Sequence, residues 1–297
     1  RQDETLERQR GYLAVSNADT RYLNVSPENH SSLTKWAMSV IQFTSVLNAI
    51  RYLPIPRDIL VFSLFDDCSA LQRHPDYQEA KAGNFRSALQ LITDLAGDEL
   101  AKKRSRFGSH TIFVAPFARE TSGDNAIPQV LAEVLAFLCG ASADKDLVQV
   151  TKVYHTGADP MERLVLRAEF EGPVLAGANY VLVDDVISLG GTLAELAHYI
   201  QLKGGVVSDI AVLVNAGRNK SLSPDLQTLK ILKERFANEI IEIFGIHIDA
   251  LTANEAQYLV GFRTSDEIRN RCLKAKKESN LRLRSKGIAG LFGPKNE

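Results

Sequence analysis

An α/β fold, a doubly wound parallel sheet with helical flanking segments, is what the sequence predicts, and three observations predict it. Short apolar runs recur at 59–65, 111–115, 180–183, 209–214 and 239–244, and the run at 180–183 is continuous enough for a strand covered on both faces. Stretches of helical periodicity separate several of them. Two strand ends, after residues 115 and 183, enter polar or glycine-bearing loops that open onto a helix.

In chain order, residues 1–30 are polar and read as an arm. Leu33, Trp36, Ala37, Val40, Ile41, Thr44 and Leu47 then share one helical face, with Ser31 or Ser32 as N-cap. Trp36 lies on that apolar stripe and reads as core rather than as a base-stacking ring. Pro54 and Pro56 close the region. The strand over 59–65 leads into Asp66, Asp67 and Cys68, which lack a glycine loop and read as a polar turn. Residues 83–103 form an amphipathic helix ending in Lys102 and Lys103, with Arg104 and Arg106 beyond, cations suited to a helix C-terminus.

The strand at 111–115 runs into PFARETSGDNAIP and a helix in which Leu131, Val134, Leu135 and Leu138 share a face, begun by Pro128 and ended by Gly140. Residues 147–154 alternate as a strand. In the interval 155–177, Gly157, Asp159 and Pro160 suit a mobile turn. After the strand at 180–183, Leu193, Leu196, Ala197 and Ile200 give a helix stopped by Gly204 and Gly205. Strands at 209–214 and 239–244 flank a helix at 225–237, and the tail from Thr252 is helical in pattern.

The length of 297 residues allows one large domain or two small ones. A formal net charge of −1 gives no dominant polyanion-binding surface. Cys68, Cys139 and Cys272 are far apart without metal-ligand spacing, which fits a reducing, cytoplasmic setting. No run reaches membrane-spanning length, so no membrane partner is expected, and no secretory signal is visible. The start at Arg1 reads as a trimmed or excised chain. Arg269, Arg271, Lys274, Lys276, Lys277, Arg282, Arg284 and Lys286 face Glu278 in the tail, without interleaved aromatics. A solvated basic helix or flexible end is the default there, and a nucleic-acid contact over 269–286 is the alternative.

The chemistry concentrates in YVLVDDVISLGGT, residues 180–192. A loop between a strand's carboxyl end and a helix N-terminus gathers free backbone N–H groups and the positive end of the helix dipole, so it suits phosphate. Ser188 and Thr192 add hydroxyls, and Gly190 and Gly191 leave the backbone open to an anion. Asp184 and Asp185 would repel a bare phosphate. They suit sugar hydroxyls or a magnesium-bearing ligand instead.

In this order of strand, acidic pair, small-residue loop and threonine, the chain resembles the type I phosphoribosyltransferases, whose motif binds 5-phosphoribosyl-1-pyrophosphate (PRPP). The resemblance covers about residues 108–217 and implies a Rossmann-like core. One position departs: Leu189 stands where the family usually has a small or hydroxylated residue. By the resemblance, Asp184 and Asp185 serve catalysis by holding the ribose hydroxyls, and Val186, Ile187, Ser188, Leu189, Gly190, Gly191 and Thr192 form the 5-phosphate loop. Ala118, Arg119, Thr121, Ser122 and Gly123 form the pyrophosphate loop, with Arg119 facing the diphosphate. Arg163 and Arg167 are candidate mobile-loop cations for the leaving group, as is Lys152, whereas His155 reads as a surface histidine. Magnesium is the implied cofactor, held through PRPP and water near Asp184 and Asp185 with no direct protein ligand.

The implied organisation is a mostly helical 1–105, a hood or partner-binding segment, then a phosphoribosyltransferase-like core over 106–250 and a basic helical tail over 251–297. The implied activity is transfer of ribose 5-phosphate from PRPP to a nitrogenous base, as in nucleotide metabolism, by a homodimer. Family members specific for 6-oxopurines commonly carry an aspartate at the position of Ser188, so that substrate class is disfavoured. The alternatives are a PRPP- or nucleotide-binding regulator without turnover and a module of a larger multidomain protein.

Overall fold

Continuous β-branched runs form the centre of a computed structural model that describes residues 50–116, 125–150 and 159–285. The expected helix at 33–47 with Trp36, and Lys152, His155 and Gly157, lie outside those residues. Strand β1 is Val61–Phe65, followed by helices α1 (Ser69–Arg73), α2 (Tyr77–Lys81) and α3 (Phe85–Lys103). Asp67 caps the turn before α1, its Oδ1 accepting the Ser69 N–H at 2.7 Å. Strand β2 (Thr111–Val114) leads to α4 (Ile127–Cys139), which ends on Gly140 in the left-handed region and passes into β3 (Ser142–Ala143). Strand β4 (Val148–Gln149), helix α5 (Pro160–Val165) and strand β5 (Phe170–Glu171) follow.

The long central unit is β6 (Asn179–Ile187), α6 (Gly191–Leu202) and β7 (Val206–Asn215). The chain continues as α7 (Leu226–Phe236), α8 (Glu239–Phe244), α9 (Ala253–Val260) and α10 (Ser265–Ser285). Among the described residues the main sheet is parallel throughout, in the order β1-β7-β6-β2-β3. β4 and β5 pair separately and antiparallel.

Successive residues of a strand face opposite sides, and two cores follow from that. Phe113, Val181 and Val183 pack under α3 and α4, whereas Val114, Tyr180 and Leu182 pack under α6. A third cluster joins Met161 and Leu164 of α5 to Leu232, Phe244, Leu259, Ile268 and Cys272 of the C-terminal helices. The tail is therefore anchored along one face rather than being a flexible end.

Four expectations need correction. Residues 239–244 are helical, because Ile240 and Phe244 are the buried pair, four apart, and Glu239 and Glu242 suit a first turn. Asp159 and Pro160 begin a capped helix instead of a mobile turn. Of the strand expected at 147–154, Val148–Gln149 is strand, and 151–158 fall outside the described residues. Finally, β6 continues four residues beyond Val183, so the acidic pair is part of the strand. Connectivity runs outward from β2 to β3 and from β6 to β7, so the carboxyl ends of β2 and β6 flank a topological switch point, the usual ligand crevice of such sheets.

Candidate functional site

Between β6 and α6 the loop expected to take phosphate is three residues long, Ser188, Leu189 and Gly190. Ile187 is 1 % exposed in the core under α6, and Val186 packs toward the opposite core, so neither offers a side chain to a ligand. Gly190 is the N-cap of α6 at φ +81°, a conformation costly for other residues, and no side chain caps this helix. The N–H groups of its first turn, beginning at Gly191 and Thr192, are therefore left to a ligand or solvent.

The loop is braced from behind. Asn254 Nδ2 donates to the Ser188 carbonyl at 2.6 Å, and the Thr252 hydroxyl donates to the Leu189 carbonyl. Gly217 makes room for this brace: a Cβ there would lie 2.0 Å from Asn254 Nδ2 and 2.7 Å from the Ser188 oxygen. Thr252 and Glu255 form a capping box on α9, a pattern visible in the sequence, although its contact with the loop is not.

Asp184 and Asp185 stand side by side near the carboxyl end of β6. Asp185 points to the layer of α2 and α4, where Lys81 Nζ lies 3.0 Å and Asn125 Nδ2 2.8 Å from its Oδ2. The Lys81 ammonium is held charged: burial opposes this, but Asp185 outweighs it and raises the pKa. Asp184 accepts the Asp185 N–H at 2.9 Å. Although Asp184 keeps partial solvent access, the protein packed around its carboxyl, and then the neighbouring Asp185 charge, push its pKa well above the ordinary carboxylate range.

On the other side of α6 lies a lattice of four charges. Arg51 Nη1 reaches Glu195 at 2.9 Å and its Nη2 pairs with Glu255, while Arg167 grips both Glu195 oxygens at 2.7 and 2.8 Å. Arg167 also donates to the Gly245 carbonyl at 2.9 Å. Arg51, Glu195 and Glu255 are 1 %, 5 % and 1 % exposed. Burial would raise the Glu195 pKa, yet the two guanidinium groups hold it below the ordinary value. Arg167, expected as a mobile-loop cation, is thus an anchor between α6 and the turn after α8.

Arg163 departs from expectation differently. Asp159 caps α5, accepting the Met161 and Glu162 N–H groups, and Arg271 of α10 pairs with Asp159. The helix so fixed sends Arg163 Nη1 to Ser188 Oγ at 2.9 Å. Arg163, Arg51, Arg167, Leu189, Thr192 and Glu255 are among the residues around a cavity of about 30 Å³ at the α6 N-terminus. The pyrophosphate-loop residues Ala118, Arg119, Thr121, Ser122 and Gly123 lie outside the described residues. Asn125, just after that segment, donates to Asp185 of β6.

The tail cations of α10 are mostly spoken for: Arg271 faces Asp159 and Glu278, Lys274 faces Glu278, and Arg269 faces Asp266 and Glu242. The side chains of Arg282 and Arg284, and Lys286 as a whole, fall outside the described residues. Asp159, Glu162 and Glu278 come together, but the first two are engaged in the capping box. No helix among the described residues is long and apolar enough to cross a membrane.

No family model matches the chain. It is 35 % identical to protein TraN of Escherichia coli over 223 residues, 73 % of this chain and 50 % of that protein. It is also 36 % identical over 53 residues to a hypoxanthine/guanine phosphoribosyltransferase of Methanocella arvoryzae, 18 % of this chain and 28 % of the relative. The chain resembles type I phosphoribosyltransferases. Among solved structures, adenine phosphoribosyltransferase of Saccharomyces cerevisiae aligns at 17 % identity and TM-score 0.31, covering 50 % of this chain and 78 % of that one. Orotate phosphoribosyltransferase of Aeropyrum pernix aligns at 22 % identity and TM-score 0.25, covering 47 % and 66 %. The chain spans half the length, or less, of the curated relatives it matches. The α/β architecture accordingly stands on the strand order and covering helices observed in this chain.

Proposed function

We propose that the chain binds PRPP across the carboxyl ends of β2 and β6 and transfers its ribose 5-phosphate to a nitrogenous base. The observation that carries this reading is the α6 N-terminus: it lacks a side-chain cap, follows a braced Ser188-to-Gly190 loop, and stands at the switch point beside two carboxylates. The 5-phosphate would lie at Ser188, Gly190, Gly191 and Thr192, with Asp184 and Asp185 toward the ribose hydroxyls and Arg119 with its loop toward the diphosphate. In the reaction the anomeric carbon–oxygen bond breaks, pyrophosphate leaves with the electron pair, a carbon–nitrogen bond forms, and the base nitrogen gives up its proton. Preorganised donors and charges act by positioning and by stabilising the separating charge.

Magnesium fits this donor set as a companion of the diphosphate. Lys81 and Asn125 already engage Asp185, so the pair does not stand as an open chelate for an ion. Asp184 and water would face it. Bound magnesium would neutralise diphosphate charge.

A second reading, a PRPP-binding regulator without turnover, is favoured by the Lys81–Asp185 ion pair, which already engages one of the two acids, and by Leu189. The 1–105 segment as hood and the homodimer belong to the proposal as well. Pyrophosphate release from PRPP and magnesium across a panel of purine and pyrimidine bases, with PRPP binding followed by calorimetry, tests both. Release with a base supports the transferase, binding without release supports the regulator, and absence of binding removes both.

A further inference from the structure

Leu189 offers no hydroxyl to a loop read as holding a dianion, and the structure places a cation beside it. Arg163 Nη1 donates to Ser188 Oγ at 2.9 Å, and Arg163 and Leu189 line the same cavity as Gly191 and Thr192. Arg163 does not arrive there by chance of a flexible side chain. Its helix is fixed by the Asp159–Glu162 capping box, by Arg271 on Asp159, and by Met161 and Leu164 at 0 % and 1 % exposure in the third core.

Three guanidinium groups, those of Arg51, Arg163 and Arg167, line this cavity with Glu195 and Glu255, Glu162 and Asp159 lie near Arg163, and the α6 N-terminus adds its dipole. A buried group there also lacks an acceptor: Nε of Arg51, in a side chain 1 % exposed, has no hydrogen-bond partner among the described residues. At about 30 Å³ the cavity has room for a water or a phosphate oxygen. Burial lowers the Arg163 pKa despite the nearby Glu162 and Asp159, so an anion at Ser188 would relieve a cost already present.

We infer that Arg163 binds the 5-phosphate of the substrate, replacing the hydroxyl absent at Leu189, while Arg51, Glu195, Arg167 and Glu255 hold the loop from behind. This rests on the PRPP-binding reading and assigns Arg163 to the sugar-phosphate end rather than to the departing diphosphate. The connection after β2 approaches the acidic pair through Asn125, whereas Arg163 meets the loop at Ser188.

The test is calorimetry with ribose 5-phosphate, PRPP and pyrophosphate as separate probes on the whole chain and on Arg163→Gln. A lost charge-assisted contact should weaken ribose 5-phosphate and PRPP on the order of 10- to 100-fold and leave pyrophosphate unchanged. Adding Leu189→Thr to Arg163→Gln should recover part of the loss. As a measurement independent of the variant's folding, ribose 5-phosphate should protect Arg163 of the unaltered chain from a dicarbonyl reagent, read by peptide mass spectrometry, and pyrophosphate should not. Unchanged ribose 5-phosphate affinity in Arg163→Gln, or protection by pyrophosphate alone, overturns the assignment while leaving PRPP binding intact. An unaltered chain that binds none of the three probes removes the PRPP reading and the assignment together.

Discussion

The two sides of the β6–α6 unit handle buried charge in opposite ways. Behind α6, Arg51 and Arg167 face Glu195 and Glu255, two charges of each sign, and the environment of Glu195 favours its ionised form. At the end of β6, two carboxylates share the neighbourhood of Lys81, and Asp184 is pushed toward its protonated form. A balanced lattice holds a scaffold together, whereas an unbalanced pair is what a cationic or hydroxyl-bearing ligand would complete.

Breaking the balanced side should have the largest effect. Glu195→Gln leaves the buried Arg51 and the half-buried Arg167 opposite a single carboxylate and should cost about 3–5 kcal/mol in urea unfolding. A loss near that of an exposed ion pair would mean that the lattice is open to water.

His198, one turn beyond Glu195, sharpens the contrast through pH. Its Nδ1 accepts the Leu53 N–H at 3.3 Å, and burial pushes its pKa down to about 4. The unfolded chain, near 6.5, takes up this proton first as pH falls. Stability fully present above about pH 6.5 should therefore drain away toward about pH 4, by on the order of 3 kcal/mol. An imidazole resonance of His198 that titrates near 6.5 in the folded protein would contradict this.

Between the two sides, Gly217→Ala should cost about 1–3 kcal/mol by overpacking against Asn254. Because Asn254 braces Ser188, PRPP should bind more weakly in calorimetry, with little effect on the lattice. If affinity holds while stability falls, the brace is structural and irrelevant to the loop's ligand.

The smallest shift should have the opposite sign. Asp184 has a raised folded-state pKa, so its ionisation costs stability as pH rises from the unfolded carboxylate range through that folded value. Asp184→Asn should raise the urea midpoint at pH 7, and the gain should vanish below about pH 4, where both states carry the proton. PRPP affinity should fall in the same variant. A gain in stability with undiminished PRPP binding would detach the acidic pair from ribose recognition.

The residues themselves made much of this legible. The run at 180–183 declared a buried strand, Gly190 and Gly191 a turn into a helix, and the Asp66–Asp67 pair a polar turn, because each depends on neighbours within a few positions. Residues 239–244 misled because four apolar residues in a stretch of six fit both periods, and packing of Ile240 and Phe244 on the third core chose the helical one. Arg163 and Arg167 were legible only as cations in a promising interval. Four residues apart, they took separate fates, one at the Ser188 hydroxyl and one clamped on Glu195.

Sequence by itself determined most of the alternation of strands and helices and the glycine turn from β6 into α6, since backbone propensity, glycine freedom and strand burial are local properties. Tertiary structure decided which charges meet. Lys81 reaches Asp185 across 104 positions, and Arg51 reaches Glu255 across 204. No local pattern encodes such pairs, because they form when the parallel strands and their crossovers bring distant elements to the same end of the sheet.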